Sequence, residues 1–241
     1  VDFTYEVSRS LAACEGAVLV VDATQGVEAQ TVSNAMLAMN ANLDIVPAIN
    51  KIDLPSARPE EVRAEIEDVL AIPADDAVCV SGKTGEGIHE LLEALVYLVS
   101  PPKGDPTTPL KALILDSYFD QFRGVVATVR VFDGSIKAGD QLLMMQSSTP
   151  FLVEEVGAKR PLEMAVDQLS VGEVGYVVTG LKDPEAVRVG DTLTYKQNPC
   201  AEPLPGYREA KQMVFTGLFP VDNKQYENIR DALDKLHVND T

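Results

Sequence analysis

Four prolines fall within nine residues, Pro101-Pro102-Lys103-Gly104-Asp105-Pro106-Thr107-Thr108-Pro109, and the hydrophobic period changes across them. Proline fixes φ and removes a backbone donor, so this stretch excludes helix and reads as an extended linker. It splits the chain into parts that need different folds. Before it, strand-like and helix-like patterns alternate. Phe3, Val7 and Leu11 share one face of a helix over Phe3–Ala13. Ala17–Val21 is an apolar run that ends at Asp22, the signature of a buried parallel strand. A helix over Gln30–Met39 and a strand over Ile45–Ile49 follow. Pro59 and Glu60 open a helix with Val62, Ile66, Val69 and Leu70 at i, i+4, i+7 and i+8. After a strand over Ala77–Val80, a closing amphipathic helix carries Ile88, Leu91, Leu92, Leu95, Val96 and Val99. Successive strand–helix units predict a parallel, doubly wound α/β sheet.

Beyond Leu110 the period becomes two. Leu113–Phe119, Gly124–Phe132, Gln141–Met145 and Gly175–Thr179 read as strands rich in β-branched and aromatic residues. Asp133-Gly134, Ala138-Gly139-Asp140, Val171-Gly172-Glu173 and Val189-Gly190-Asp191 supply turns between them. Short strands separated this regularly predict a closed antiparallel barrel. Pro199, Pro203, Pro205 and Gly206 mark a second linker, followed by a strand over Gln212–Gly217 and a helix over Tyr226–Leu236. One strand and one helix are too little for a domain, so this last piece reads as the start of one. The expected organisation is multi-domain, α/β plus all-β: residues 1–102, 103–198, and 199–241 as linker and truncated α+β start.

At 241 residues and 46% apolar composition the chain can bury real cores, and no apolar run reaches the roughly 20 residues of a membrane helix. Val1-Asp2-Phe3-Thr4 has neither the basic start nor the apolar segment of a signal peptide, and it lacks methionine, so the chain is expected to begin inside a longer protein. Cys14, Cys79 and Cys200 show no metal-ligand spacing and fit reduced thiols in a cytosolic protein. The net charge is −17, of which residues 1–100 carry −12, with 17 acids against 5 bases. So acidic a chain is not a DNA binder or a general nucleic-acid binder, because phosphate contacts require a basic face. Contact with RNA would need a local basic patch or a protein intermediary; the acidity itself reads as a solubility surface.

The chemistry lies at two strand ends. Asn50-Lys51-Ile52-Asp53 follows the Ile45–Ile49 run, and Ser81-Gly82-Lys83 follows Ala77–Val80. Guanine offers acceptors (O6, N7) beside donors (N1-H and the exocyclic amine). A carboxylate takes both donors bidentately, and an amide serves the acceptors. In this reading Asp53 selects guanine over adenine, Asn50 holds its loop and reaches the acceptor edge, backbone N–H groups around Ser81 and Gly82 donate to O6, and the stems of Lys51 and Lys83 cover the ring faces. Ligands of open α/β sheets bind at this carboxyl end. The tetrapeptide alone would be an ordinary turn or helix cap; the second motif on the next strand end distinguishes the two. Ala77 to Thr84 also mimics a phosphate-binding loop, but Val78 and Val80 are strand residues, and the remaining loop is too short to cradle phosphate. Asp22 reads as a turn or capping residue rather than a metal ligand, and His89 and His237 as surface residues. No catalytic or metal-ligating residue stands out.

Together these residues resemble the translational GTPases of the LepA (elongation factor 4) type. Val1-Asp2-Phe3 with Glu6-Val7 and Arg9, then Glu15-Gly16-Ala17, Val20-Val21-Asp22-Ala23 and Gly26–Thr31, is similar to the stretch after that family's Asp-Thr-Pro-Gly-His motif. Gly124-Val125-Val126, Val131, Gly134, Ile136 and Gly139-Asp140 resemble its second-domain barrel. Tyr207–Lys211, Val214–Asp222, Tyr226, Arg230–Leu233, Leu236 and Asn239-Asp240 resemble the start of its third domain, of ferredoxin-like form, and differ from elongation factor G. Gln212 stands where a proline is common, and Gly82 where alanine is.

The resemblance implies that residues 1–102 are the later half of a P-loop-type G domain. It implies GTP and Mg²⁺ binding, GTP hydrolysis stimulated by the ribosome, and action with ribosomal RNA, ribosomal proteins and tRNA, including reverse translocation and a role in fidelity. It also implies a cytoplasmic protein with peripheral contact at the inner membrane face. Carried over by position, Asn50, Lys51, Asp53, Ser81, Gly82 and Lys83 bind GTP; the phosphate loop, switches, Mg²⁺ ligands and catalytic residues are expected upstream of Val1. The 241 residues alone are then expected to be inactive. The alternatives are a non-catalytic ribosome-binding module and an elongation factor G-type fragment.

Overall fold

A computed structural model describes residues 4–183, 186–205, 216–219 and 226–239. The chain divides into two compact units, Val1–Pro101 and Pro102–Thr241. In the first, elements alternate: α1 (Thr4–Leu11), β1 (Gly16–Asp22), α2 (Ala29–Asn40), β2 (Asp44–Asn50), α3 (Pro59–Leu70), β3 (Val78–Cys79) and α4 (Ile88–Leu98). The sheet is parallel with order β1-β2-β3. Asp22 is level with Asn50, and Ile49 with Cys79, so the carboxyl ends of all three strands lie together.

Local chemistry accounts for these elements. α3 begins with Pro59 in its first turn, followed by Glu60 and Glu61, which favour the positive end of the helix dipole. It ends at Ala71, in the left-handed region with φ 53°. Val62, Ile66 and Leu70 are buried on one stripe and pack with Leu19, Val21, Ala35 and Ile49. Val69, expected on that stripe, is 56% exposed: at 100° per residue it falls at the stripe's edge. α4 forms where expected, yet none of its residues is fully buried.

β3 is two residues long, against four expected. Pro47, in the central strand, supplies part of the reason. Asn50 carbonyl accepts from Ala23 N–H on the β1 side, and Ile49 carbonyl accepts from Val80 N–H on the β3 side. Successive residues of a parallel strand alternate in direction, so Pro47 faces β3 and offers it no donor. The ladder with β3 starts one residue later, at Ala48 opposite Val78. Arg63 of α3 ties down the approach to β3: Nη1 donates to the carbonyls of Ala74 (3.1 Å) and Asp75 (2.5 Å), and Nη2 to Cys79 Sγ (3.3 Å).

The second unit is antiparallel. Its strands are β4 (Lys111–Asp120), β5 (Gly124–Asp133), β6 (Ser135–Lys137), β7 (Gln141–Met144), β8 (Pro150–Leu152), β9 (Glu155–Arg160), β10 (Leu162–Ala165), β11 (Gln168–Ser170), β12 (Val174–Val178) and β13 (Thr192–Tyr195). Eight run in the order β10-β9-β12-β5-β4-β13-β7-β8, and β11 pairs with β6. Both sheets wrap one core, which takes residues from nine of these strands, among them Ile114, Val129, Ile136, Met144, Phe151, Val156, Leu169, Val177 and Leu193. That is the architecture of a barrel. The expected strands β4, β5, β7 and β12 are present within a residue or two; the others, mostly three or four residues long, lack enough length to show a period. Gly134 and Gly172 turn the chain with φ of 73° and 81°, a region that favours glycine.

Period two is clearest in β5. Val125, Ala127, Val129 and Val131 enter the core, while Val126 faces outward into a small cluster with Tyr118, Tyr176 and Val178. Gly157 lies under the Tyr176 ring, where a Cβ would sit 2.2 Å from the ring carbon. Asp191 is fully buried and accepts from the backbone N–H groups of Gln146 (2.9 Å), Ser147 (3.2 Å) and Thr192 (2.6 Å). α5 (Tyr226–Asn239) lies beside β4 and is the helix expected from Tyr226. Most of the expected Gln212–Gly217 strand, with the resembling segments Tyr207–Lys211 and Pro220–Asp222, falls outside the described residues; 216–219 have no regular structure.

Candidate functional site

Where the three parallel strands end, side chains join loops that are far apart in sequence. Asn50 is the last residue of β2. Its Oδ1 accepts from Lys51 N–H (2.8 Å) and, across the sheet, from Gly82 N–H (3.0 Å). Asp53 Oδ1 accepts from Ser81 Oγ (2.7 Å). The two motifs are thereby locked to each other twice, with Asn50, Lys51, Asp53, Ser81, Gly82 and Lys83 gathered at one end of the sheet. Ser81 is fully buried and staples its own turn: its N–H donates to Glu86 carbonyl, its Oγ accepts from Thr84 N–H, and its carbonyl accepts from Gly85 N–H.

That turn also rules out a phosphate cradle. The N–H groups of Ser81, Thr84, Gly85 and Glu86 all point at acceptors within the turn, and Gly82 N–H points at Asn50. A phosphate loop needs such groups converging on empty space. The same bonds bear on the expected O6 donors: Ser81 and Gly82 N–H are engaged, and Lys83 N–H is the neighbour without a partner among the described residues. A Cβ at Gly82 would lie 3.8 Å from Asn50 Oδ1, in ordinary contact, so alanine fits there equally well.

The two lysines differ. Lys83 is exposed and has no side-chain partner among the described residues. Lys51 has φ 67°, a left-handed conformation costly for a residue with a Cβ, and its Nζ lies 2.5 Å from Asp22 Oδ2. Asp22 ends β1, and its Oδ1 accepts from Thr24 N–H (2.8 Å) and Thr24 Oγ (2.7 Å). It thus forms the turn expected of it and an ion pair that the sequence did not reveal. The Lys51 ammonium, then the Thr24 hydroxyl and N–H, hold the Asp22 carboxyl well below the ordinary carboxylate range. Asp22 in turn raises Lys51 above the usual lysine value.

The polar atoms left over set what the arrangement can do. Asn50 Nδ2, Asp53 Oδ2 and Lys83 N–H have no partner among the described residues, and they comprise a donor, an acceptor and a donor beside two lysine stems. That set can both donate to and accept from a polar ligand. Among the described residues no group of three or more His, Cys, Asp or Glu is placed to hold a metal. No described helix is long and apolar enough to cross a membrane. His89 is exposed on α4.

A family model for the Elongation factor Tu GTP binding domain matches residues 1–101, and one for Elongation factor Tu domain 2 matches residues 124–194. Elongation factor 4 of Staphylococcus saprophyticus and that of Staphylococcus aureus are each 54% identical to this chain over 240 residues. Each alignment covers 100% of this chain and 40% of the relative, so the chain spans about two fifths of the length of the curated relatives it matches. The parallel sheet with two motifs at its strand ends, the barrel after it and this identity along the whole chain agree: the chain belongs to the elongation factor 4 (LepA) family of translational GTPases.

Proposed function

We propose that this chain carries the base-reading part of the GTP site of a ribosome-stimulated GTP hydrolase that acts on elongating ribosomes and moves tRNA backwards. In this reading residues 1–102 belong to the GTP-binding domain, 103–198 form the second-domain barrel, and 199–241 lead into an α+β third domain. The protein works in the cytoplasm, and any membrane contact is peripheral. The observation that carries the reading is the double lock of Asn50 to Gly82 and Ser81 to Asp53, which leaves Asn50 Nδ2 and Asp53 Oδ2 without a partner among the described residues.

Asp53 accepts from the ring N–H and the exocyclic amine of guanine. Asn50 donates from Nδ2 to the acceptor edge while its Oδ1 keeps the second loop in place. Ser81 holds the Asp53 carboxylate so that no reorganisation is needed when the base arrives. Lys51 and Lys83 close over the ring. Mg²⁺, bound with the nucleotide, neutralises phosphate charge; its ligands are assigned to residues other than those described here. These 241 residues by themselves should not turn over GTP, because phosphate and metal contacts supply most of the affinity and all of the chemistry.

The test is Asp53→Asn in the full-length protein. An amide presents a donor where guanine also has one, so preference should move from guanine to xanthine nucleotides by about 100-fold or more. Competition binding with GDP and xanthosine diphosphate measures it; retained guanine preference overturns the reading.

A further inference from the structure

Asp22 is held more firmly than a turn residue requires. Besides the two bonds from Thr24, its own carbonyl accepts from Gly26 N–H (2.9 Å). Ala23 N–H donates to Asn50 carbonyl (2.8 Å), and Arg58 N–H donates to Ala23 carbonyl (2.8 Å). Val27 N–H is fixed by Glu65 of α3 (3.0 Å). All of this leaves Oδ2 as the one carboxylate oxygen directed at another element, and it meets Lys51 Nζ. The Asp22 side chain is 15% exposed and that of Lys51 53%, so the anchor is shielded while the lysine stem lies open at the site.

We propose that Asp22 is a positioning residue for guanine nucleotides, tethering the Lys51 ammonium on the β1 side so that the lysine methylenes form a preset ledge for one face of the base. The proposal rests on the base-reading assignment of the preceding subsection and adds a residue to it. A free lysine has many side-chain rotamers, and much of that freedom is lost when the stem is pressed against a ring. A tether restricts the stem before the ligand arrives. The left-handed backbone at Lys51 sets the direction in which the stem leaves the strand, and Asp22 fixes its far end. Asp22 touches no part of the base and acts only through Lys51.

Asp22→Asn in the full-length protein separates the tether from the turn, because the amide oxygen still accepts from Thr24. GDP release, followed with a fluorescent GDP analogue, should be faster by about fivefold, in keeping with a partly exposed ion pair. The ratio of guanine to xanthine affinity should be unchanged. Lys51→Met, which keeps an unbranched stem and loses the ammonium, should give the same acceleration, and adding Asp22→Asn to it should change nothing more. An unchanged release rate in either single variant overturns the proposal, as does an Asp22→Asn effect that persists in full in the Lys51→Met background. Failure here beside a switched preference in Asp53→Asn overturns only the positioning role. Retained guanine preference in Asp53→Asn overturns the site itself.

Discussion

The parallel unit and the barrel both pin loops with side chains, but they leave those side chains in different states. In the barrel, Asp191 is buried and takes three backbone N–H groups, so its acceptor capacity is largely used within the fold. At the ends of the parallel strands, Asn50 and Asp53 spend one oxygen each on holding loops and keep a second polar atom without a partner among the described residues. A polar group whose bonding capacity is exhausted is structural. One that both clamps and retains capacity is a candidate for recognition. The contrast separates two carboxylates, Asp53 and Asp191, that look alike in sequence.

The largest stability effect should come from the barrel core. Met144→Ala, at a fully buried position, should destabilise the barrel by about 2–5 kcal/mol in denaturant unfolding, while base preference stays unchanged. Asp191→Ala should cost about 1–3 kcal/mol by leaving buried N–H groups unpaired, again without touching nucleotide binding. Asn50→Ala should reverse the pattern: about 1 kcal/mol of stability, with nucleotide affinity falling at least tenfold, because holding and reading are lost together. Comparable losses of affinity from Asp191→Ala and Asn50→Ala would break the distinction.

A smaller effect concerns pH. Burial, then the bond to Glu163, pushes Tyr118 up to about 12, and burial with Glu155 does the same for Tyr176. Both folded values lie above the ordinary phenol value of 10.0, so the stabilisation is complete below pH 10 and is lost as pH rises towards 12. Barrel unfolding should therefore become easier above pH 10, in step with tyrosinate absorbance. Asp22 has the opposite sign: its lowered value stabilises the parallel unit above about pH 4, and that contribution fades on further acidification. Gly82→Ala should be smallest, within about 0.5 kcal/mol and with unchanged base preference, since the added Cβ meets only ordinary contacts.

Much of this was legible in the residues. The stripe of Val62, Ile66 and Leu70, the buried runs ahead of Asn50 and Ser81, and the alternation in β5 all follow from local periods. The six residues at the strand ends were identifiable because each motif directly follows its strand. Hidden features were those created by register rather than by neighbourhood. The Asp22–Lys51 pair joins residues brought level only by parallel pairing of β1 with β2. The left-handed backbone at Lys51 and the use of the Ser81 hydroxyl on Asp53 depend on the folded turn, and no spacing rule encodes them. β8, β10 and β11 are too short to carry a period, and three of the four β10 residues, Leu162, Met164 and Ala165, are apolar yet exposed, so hydrophobicity pointed the wrong way.

Pro47 has a further consequence. A strand that slides one residue along its neighbour exchanges the faces of its side chains. Here pairing of β3 further towards the start of β2 would set it against the one residue in that strand with no hydrogen to give, and would lose a ladder bond. The proline therefore acts as an end stop. It favours the register that brings Ser81 and Gly82 level with Asn50 and Asp53.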